Sequence, residues 1–509
     1  MTNHFFELIR TRMPDQDRDF IVPAGGAGER PRLSYGDILT LSGRMANLLV
    51  ARGVQPGDRV AVQVEKSPEA IVLYLACLRA GAAYLPLNMA YTLAELSYFI
   101  GDAEPRLMVC APGQAAAIEA LARDKGVGAV ETLGERGDGS LIEATAGQAA
   151  AFADVDRGPN DLAAILYTSG TTGRSKGAML THRNLASNAL TLIEAWHFTA
   201  DDVLIHALPI FHTHGLFVAT NVILLAGASM LFLPRFDAEE ILRLLPRATT
   251  MMGVPTFYVR LLQHPELDRA ATAHMRLFIS GSAPLLVETH ESWQARTGHR
   301  ILERYGMTET NMNSSNPYDG ERRAGTVGFP LPGVDIRVTD PDSGRPLPQG
   351  EIGMIEIRGP NVFGGYWRMP EKTAAEIRPD GFFISGDLGR FDEQGYLHIV
   401  GRGKDLVITG GFNVYPKEVE SEIDGLPGIV ESAVIGLPHA DFGEGVTAVV
   451  VRAKGATIGE RDILEALQDR LAKYKLPKRV LFADDLPRNT MGKVQKNVLR
   501  DQYGDLYSI

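Results

Sequence analysis

The sequence predicts a multidomain α/β protein: a large N-terminal body of α/β layers that includes an antiparallel β subdomain, then a small, separate α+β domain. Three observations predict it. Strand-like and helix-like segments alternate as far as about residue 310. Between Thr326 and Ile399 the pattern changes to short alternating strands set off by Gly and Pro. After Gly401-Arg-Gly403 it changes again, to a mixture of helices and strands. The expected division is 1–402 and 403–509, with the β-rich part over about 326–400.

The first half of the body supplies the layers. Asp37 to Val50 carries apolar residues at three- and four-residue spacing, which predicts a helix. Arg59-Val-Ala-Val-Gln-Val64 is a short apolar strand, Ala70 to Leu78 a second helix, and Tyr84-Leu-Pro-Leu87 a second strand. The apolar window from Val218 to Pro234 is broken by Asn221, Gly227 and Ser229, so it reads as helix, turn and buried strand, not a membrane span. In the β subdomain, Val334 to Val338 and Gly353 to Arg358 alternate with period two. In the tail, Pro416 opens a helix with Val419 and Ile423 on one face, and Thr447 to Arg452 is a strand. Thr457 and Glu460 have capping-box spacing ahead of a helix bearing Ile463, Leu464, Leu467 and Leu471.

Composition narrows the function. With 51 Lys+Arg against 62 Asp+Glu the formal charge is −11, which argues against a nucleic-acid partner but not against small anions held by a few cations. The start of the chain carries Glu7 and Arg10 within its apolar stretch, unlike an export signal. Two cysteines, Cys77 and Cys110, cannot build a disulfide framework, and they fit a reducing compartment. The expectation is a cytoplasmic protein without a membrane partner.

The strongest local signal is Leu162 to Gly177, where an apolar strand enters a loop containing Thr168, Ser169, Gly170, Thr171, Thr172, Gly173, Arg174 and Lys176. Glycines admit an anion close to the backbone, successive N–H groups form a nest, and hydroxyls and cations complete a polyphosphate cradle. The spacing is not that of a Walker loop, and Gly26-Ala-Gly28 lacks the third glycine of a dinucleotide fingerprint. The bland alternative is a surface turn.

This loop resembles the phosphate-binding signature of adenylate-forming enzymes, the group of acyl-CoA synthetases, firefly-type luciferases and peptide-synthetase adenylation domains. Gly281-Ser-Ala-Pro284 and Tyr305-Gly-Met-Thr-Glu-Thr310 resemble that group's adenine pocket and magnesium motif. Gly386-Asp387, Gly401-Arg402-Gly-Lys404-Asp405 and Pro487 to Lys493 resemble its ribose contact, hinge and C-terminal catalytic lysine. The resemblance implies ATP contacts at Thr168, Ser169, Gly170, Thr171, Thr172, Gly173, Lys176, Gly281, Ser282, Ala283, Glu303, Tyr305, Asp387, Arg402 and Lys493. It implies Mg²⁺ at Glu309 and Thr171, catalytic roles for Thr308, Glu309 and Lys493, a hinge at Lys404, and coenzyme A passing Gly410 and Gly411. Two positions depart from common members: Ser385 stands where many have Thr, and Thr409 where several have Lys.

The implied reaction has two halves. A carboxylate attacks the α-phosphorus of ATP to give an acyl-adenylate and pyrophosphate, and a thiol then displaces AMP, so no enzyme nucleophile is required. Too little chain follows Lys493 for a carrier domain, which makes coenzyme A the expected acceptor. For the acid, His206 to Leu216 places three histidines in nine residues, His206, His212 and His214, with metal ligation one reading and a gating role for His212 another. Arg260, in the apolar run Val254 to Leu262, is a residue type that grips a carboxylate bidentately, or else a surface ion-pair partner. Together with Met307 to Asn313 these segments resemble malonyl-CoA synthetases. That resemblance implies malonate, with methylmalonate second, Arg260 on the free carboxylate, and His212, Thr213, Ser282 and Met307 around the short chain. The alternatives are a ligase for another short or aryl acid, and a nucleotide-binding protein without ligase activity.

Overall fold

The computed structural model describes residues 2–25, 30–168, 175–409, 412–439, 441–468, 470–471, 473–489 and 492–507. Two large sheets form the body. One has six strands in the order Ala129–Thr132, Leu107–Cys110, Arg59–Gln63, Ala83–Pro86, Leu162–Thr168 and Lys176–Thr181, parallel except for the last. The other has nine strands and is parallel through its centre, where Ser229–Phe232, Val203–His206, Thr250–Gly253, Leu277–Ser280 and Leu302–Met307 lie side by side. Alternation within a strand divides the packing: Val60 and Val62 face the main core with the helices Tyr35–Ala51 and Pro68–Arg79. Ala61 faces a second cluster with Leu96, Phe99 and Ile100 of the helix Leu93–Ala103.

The local signals explain the boundaries. Ser34 and Asp37 form a reciprocal capping box at the start of Tyr35–Ala51, and Ser67 caps Pro68–Arg79 with Pro68 at its first turn. The window Val218 to Pro234 is indeed interrupted: a π-helical stretch His214–Thr220 runs into Asn221–Ala226, Gly227 turns at φ +71°, and the strand Ser229–Phe232 follows. Among the described residues no helix is long and apolar enough to cross a membrane.

A four-stranded antiparallel sheet follows, in the order Asp335–Thr339, Gly353–Arg358, Phe383–Phe391 and Leu397–Arg402. A 3₁₀ turn, Gly403–Asp405, then leads to a five-stranded sheet with its own two cores. Val434 points to the helices Pro416–Asp424 and Glu460–Gln468, and Ala433 and Ile435 point to Leu499 of Lys496–Tyr503. The capping box expected at Thr457 and Glu460 does not form. Helix Glu460–Gln468 starts at Glu460, whose carboxylate accepts instead from Val480 N at 2.8 Å and Arg479 Nε at 3.1 Å, and Asp462 accepts from Gly459 N. Pairing with the neighbouring strand outcompetes the local cap, and Leu471 falls beyond the helix.

The candidate site lies where the parallel strands end. Thr168, His206, Gly253, Ser280 and Met307 are the last residues of their strands, and the chain leaves all of them on the carboxyl side.

Candidate active site

The strand Leu302–Met307 divides the site, because its alternate side chains serve opposite faces. On one face, Tyr305 Oη donates to Asp387 Oδ2 at 2.6 Å. Asp387 pairs in register with Arg402, whose Nε lies 2.9 Å from Oδ1, an ion pair rather than an aligned hydrogen bond. Ser385 keeps the hydroxyl function of the residue it replaces, donating to Ile355 O and accepting from Asp387 N. Asp387 holds the Arg402 guanidinium charged above its ordinary value. Glu303, on the same face, accepts from Leu285 N through one oxygen while the other is buried without a protein partner, and burial pushes its carboxyl up to about 8.

Lys493 comes to this face from the C-terminal sheet's side of the molecule. Its turn is closed by Asn489 N on Lys493 O and Lys493 N on Asn489 Oδ1, both 2.9 Å, and by Arg488 Nη1 on Gly492 O at 2.7 Å. Gly492 sits at φ +75°, and a Cβ there would lie 3.3 Å from Thr256, so the loop rests on the start of helix Pro255–Leu262. Burial, helped by the Arg402 charge, lowers the Lys493 ammonium to about 8, while Asp387 and Asp405 oppose that shift.

The phosphate face is set by the hairpin of Leu162–Thr168 and Lys176–Thr181, in which Thr168 and Lys176 are direct partners. Ser169, Gly170, Thr171, Thr172, Gly173 and Arg174 lie outside the described residues, as do Gly410 and Gly411. Glu309 is buried, 3.1 Å from Tyr366 Oη and 3.5 Å from Thr168 Oγ1, and burial raises its carboxyl above the ordinary range although Lys176 and Arg402 pull it down. A buried carboxylate beside Thr168 has the chemistry for Mg²⁺, which keeps few protein ligands and takes the rest from phosphate and water. Thr308, next to it, is half-buried.

The other face of the dividing strand carries Arg304, which the sequence reading passed over. Arg304 is buried, and its guanidinium lies flat against Gly281, where a Cβ would come within 2.5 Å of Cζ. Its Nε and Nη2 have no protein partner, and burial lowers the group to about 9. Around it, His212 Nδ1, Thr213 Oγ1, His214 Nε2 and Ser280 Oγ are buried and unpaired as well. Ser282, in the left-handed region at φ +71°, lies 3.2 Å from His214 Nδ1. Burial and the Arg304 charge keep both imidazoles neutral, His212 down at about 4. Buried polar groups are normally hydrogen-bonded, so these groups are free to take a polar partner.

The three histidines do not converge: His206 is turned towards Lys66 and Gly215 O, and among the described residues no group of three potential ligands is placed to hold a metal. Arg260 shares a face of Pro255–Leu262 with Thr256, on which the Lys493 loop rests; its guanidinium is exposed and 5.7 Å from the Phe236 ring, while Phe257, Tyr258 and Leu261 are buried. The buried cation is Arg304. Its sequence signal was two charged residues, Glu303 and Arg304, inside an apolar strand flanked by sheet neighbours. Met307 lies on the nucleotide face, its sulfur 3.9 Å from Tyr305 Oη.

Residues 11–367 match the family model described as AMP-binding enzyme, and residues 418–493 match the AMP-binding enzyme C-terminal domain. The chain belongs to the AMP-binding enzyme family. This AMP-binding enzyme is 66% identical to ATP-bound MatB from Rhodopseudomonas palustris, with both chains covered completely and a TM-score of 0.97. Against apo MatB the identity is again 66% but the TM-score is 0.86. Sequence does not separate those two comparisons, so geometry does, and the chain superposes more closely on the ATP-bound structure. A feruloyl-CoA synthase from Amycolatopsis is 37% identical over 93% of this chain and 94% of its own. The malonate–CoA ligase of Arabidopsis thaliana is 34% identical over 92% and 82%.

Proposed function

We propose that this chain is an AMP-forming malonate–CoA ligase, which activates malonate, and methylmalonate second, as an acyl-adenylate and passes the acyl group to coenzyme A. The observation that carries the reading is Arg304. A buried guanidinium without a carboxylate is costly, and the second carboxylate of a dicarboxylic acid supplies the missing anion. His212, Thr213, His214 and Ser282 then offer hydrogen bonds without charge at the same end of the pocket.

The chain's residues divide the work by face. Arg304 takes the distal carboxylate and leaves the other free to attack the α-phosphorus. Asp387 accepts from the ribose hydroxyls, held by Tyr305 and Arg402, and Glu303 faces the adenine side. Lys176 and the loop before it take the polyphosphate, with Glu309, and Thr171, as the groups that would hold Mg²⁺; that ion supplies charge neutralisation for the phosphates. Lys493 places its ammonium beside Arg402 and Asp387, where negative charge builds as the α-phosphorus changes partners. The thiol half requires the C-terminal part, residues 403–509, to turn about Lys404 so that Gly410 and Gly411 replace Lys493. The self-contained cores of that part and the short turn at Gly403–Asp405 support such a hinge. The buried thiols Cys77 and Cys110 suit a cytoplasmic enzyme.

The feruloyl-CoA synthase likeness supports a second reading, an aryl-acid ligase. An aryl monoacid would leave the buried Arg304 without an anion, which favours the dicarboxylate. The test is AMP and pyrophosphate release across a panel of acids with coenzyme A. Malonate should lead, and a preference for acetate or a coumarate would refute the assignment.

A further inference from the structure

The segment from Gly364 to Glu376, which no sequence signal marked, forms a second wall of the phosphate hairpin. It lies along the strand that begins at Lys176: Trp367 N donates to Gly177 O at 2.7 Å, Gly364 N to Met179 O at 2.9 Å, and Met179 N to Gly365 O at 2.9 Å. Gly365 has φ +116°, and a Cβ there would come within 2.7 Å of Thr373, whose hydroxyl accepts from Tyr366 N at 2.9 Å. These contacts fix the Tyr366 ring against the Lys176 ammonium, 4.1 Å from the ring centroid. Glu376, at the end of helix Pro370–Glu376, completes the arrangement. One of its oxygens accepts from Tyr366 Oη at 2.6 Å, and the other lies 3.3 Å from Lys176 Nζ and 2.8 Å from Lys372 Nζ.

We propose that Glu376 is a positioning residue for the polyphosphate site: its carboxylate holds the Lys176 ammonium until the phosphates of ATP take it over, and competes for it again when pyrophosphate leaves. The carboxylate on one side and the Tyr366 ring on the other hold the Lys176 ammonium in place before ATP arrives. The exchange is feasible because an ammonium has three donors and can stay on the Tyr366 face while one donor changes partner. Lys372 shares the carboxylate and so weakens its hold on Lys176. A polyphosphate carries more charge than one carboxylate and displaces it.

The inference rests on Lys176 being a polyphosphate cation, so that reading is tested alongside it. ATP binding would be titrated, and pyrophosphate product inhibition measured, on the full-length protein and on Glu376→Gln, Glu376→Asp, Tyr366→Phe and Lys176→Met. Glu376→Gln should tighten both ATP and pyrophosphate by about 3–10-fold and slow turnover through pyrophosphate release, while Glu376→Asp stays near the parent. Tyr366→Phe, which removes the hydroxyl that orients Glu376 and also reaches Glu309, should move both affinities the same way by less when they are measured without Mg²⁺, and it carries the test if Glu376→Gln melts early. Weaker or unchanged binding of both ligands in Glu376→Gln and Tyr366→Phe overturns the proposal. Unchanged ATP affinity in Lys176→Met overturns the reading beneath it.

Discussion

Asp387 and Arg402 face each other in register on neighbouring strands, joined by a 2.9 Å ion pair, and Tyr305 fills the other carboxylate oxygen at 2.6 Å. One carboxylate thus fixes an aromatic ring and a guanidinium from different elements before any nucleotide enters. Asp387→Asn should raise the KM for ATP about 10–150-fold, since it weakens charge-assisted hydrogen bonds at a buried position. Steady-state kinetics with ATP varied is the check, and an unchanged KM would remove Asp387 from the site.

Lys493 gives a pH signature. Its ammonium is lowered to about 8 by burial, and the role proposed for it in adenylation needs the charged form. Adenylation should therefore decline as pH rises through about 8, and the decline should move upward in Lys493→Arg. Lys493→Ala should lose about 10²–10³ in adenylation, yet still convert a pre-made acyl-adenylate with coenzyme A. Rapid-quench measurement of each half separately decides it.

Arg304→Met makes a prediction in two directions. Malonate kcat/KM should fall by the equivalent of about 2–5 kcal/mol, with short monoacids gaining relative to it. The unliganded protein should melt no earlier, because a buried cation without a partner has been replaced by an apolar chain of similar length. Loss of malonate activity together with a lower Tm would point to a structural role instead.

Gly281→Ala tests the same group from the other side. Its Cβ would lie 2.5 Å from Arg304 Cζ, so the guanidinium must move. Malonate KM should rise at least tenfold while acetate is spared, and Arg304→Met should mask the effect when the two are combined.

Arg260→Leu separates the two candidate arginines. Arg260 shares a helix face with Thr256, under the Lys493 loop; with Arg304 holding the distal carboxylate, malonate preference should persist in the acid panel, and a selective loss of dicarboxylates would assign that role to Arg260 instead.

Much of this architecture is local and therefore legible in the chain. The helices over 37–50 and 70–78, the strands over 59–64 and 84–87 and the Gly227 turn each follow from a few neighbouring residues. The nucleotide residues were legible for a different reason: Tyr305, Asp387, Arg402 and Lys493 sit in short segments whose resemblance to known motifs carries their roles. Glu460 shows the limit of local rules. Its spacing from Thr457 suited a cap, but Val480, twenty positions on, offered its carboxylate a strand N–H.

The difference in burial between Arg260 and Arg304 lay beyond any reading of spacing. Both stand in apolar company in the chain, and a formal charge is the same wherever it is written. What distinguishes them is desolvation, and that is made by residues far apart in sequence: Gly281, His212, His214 and Tyr258 close over Arg304, while Arg260 lies exposed. Tyr366 and Glu376 joined the phosphate wall in the same way, across nearly two hundred residues. The chain alone specifies which groups can carry charge and how each segment turns. Packing decides which charges lose their solvent, and so which of them have reason to bind.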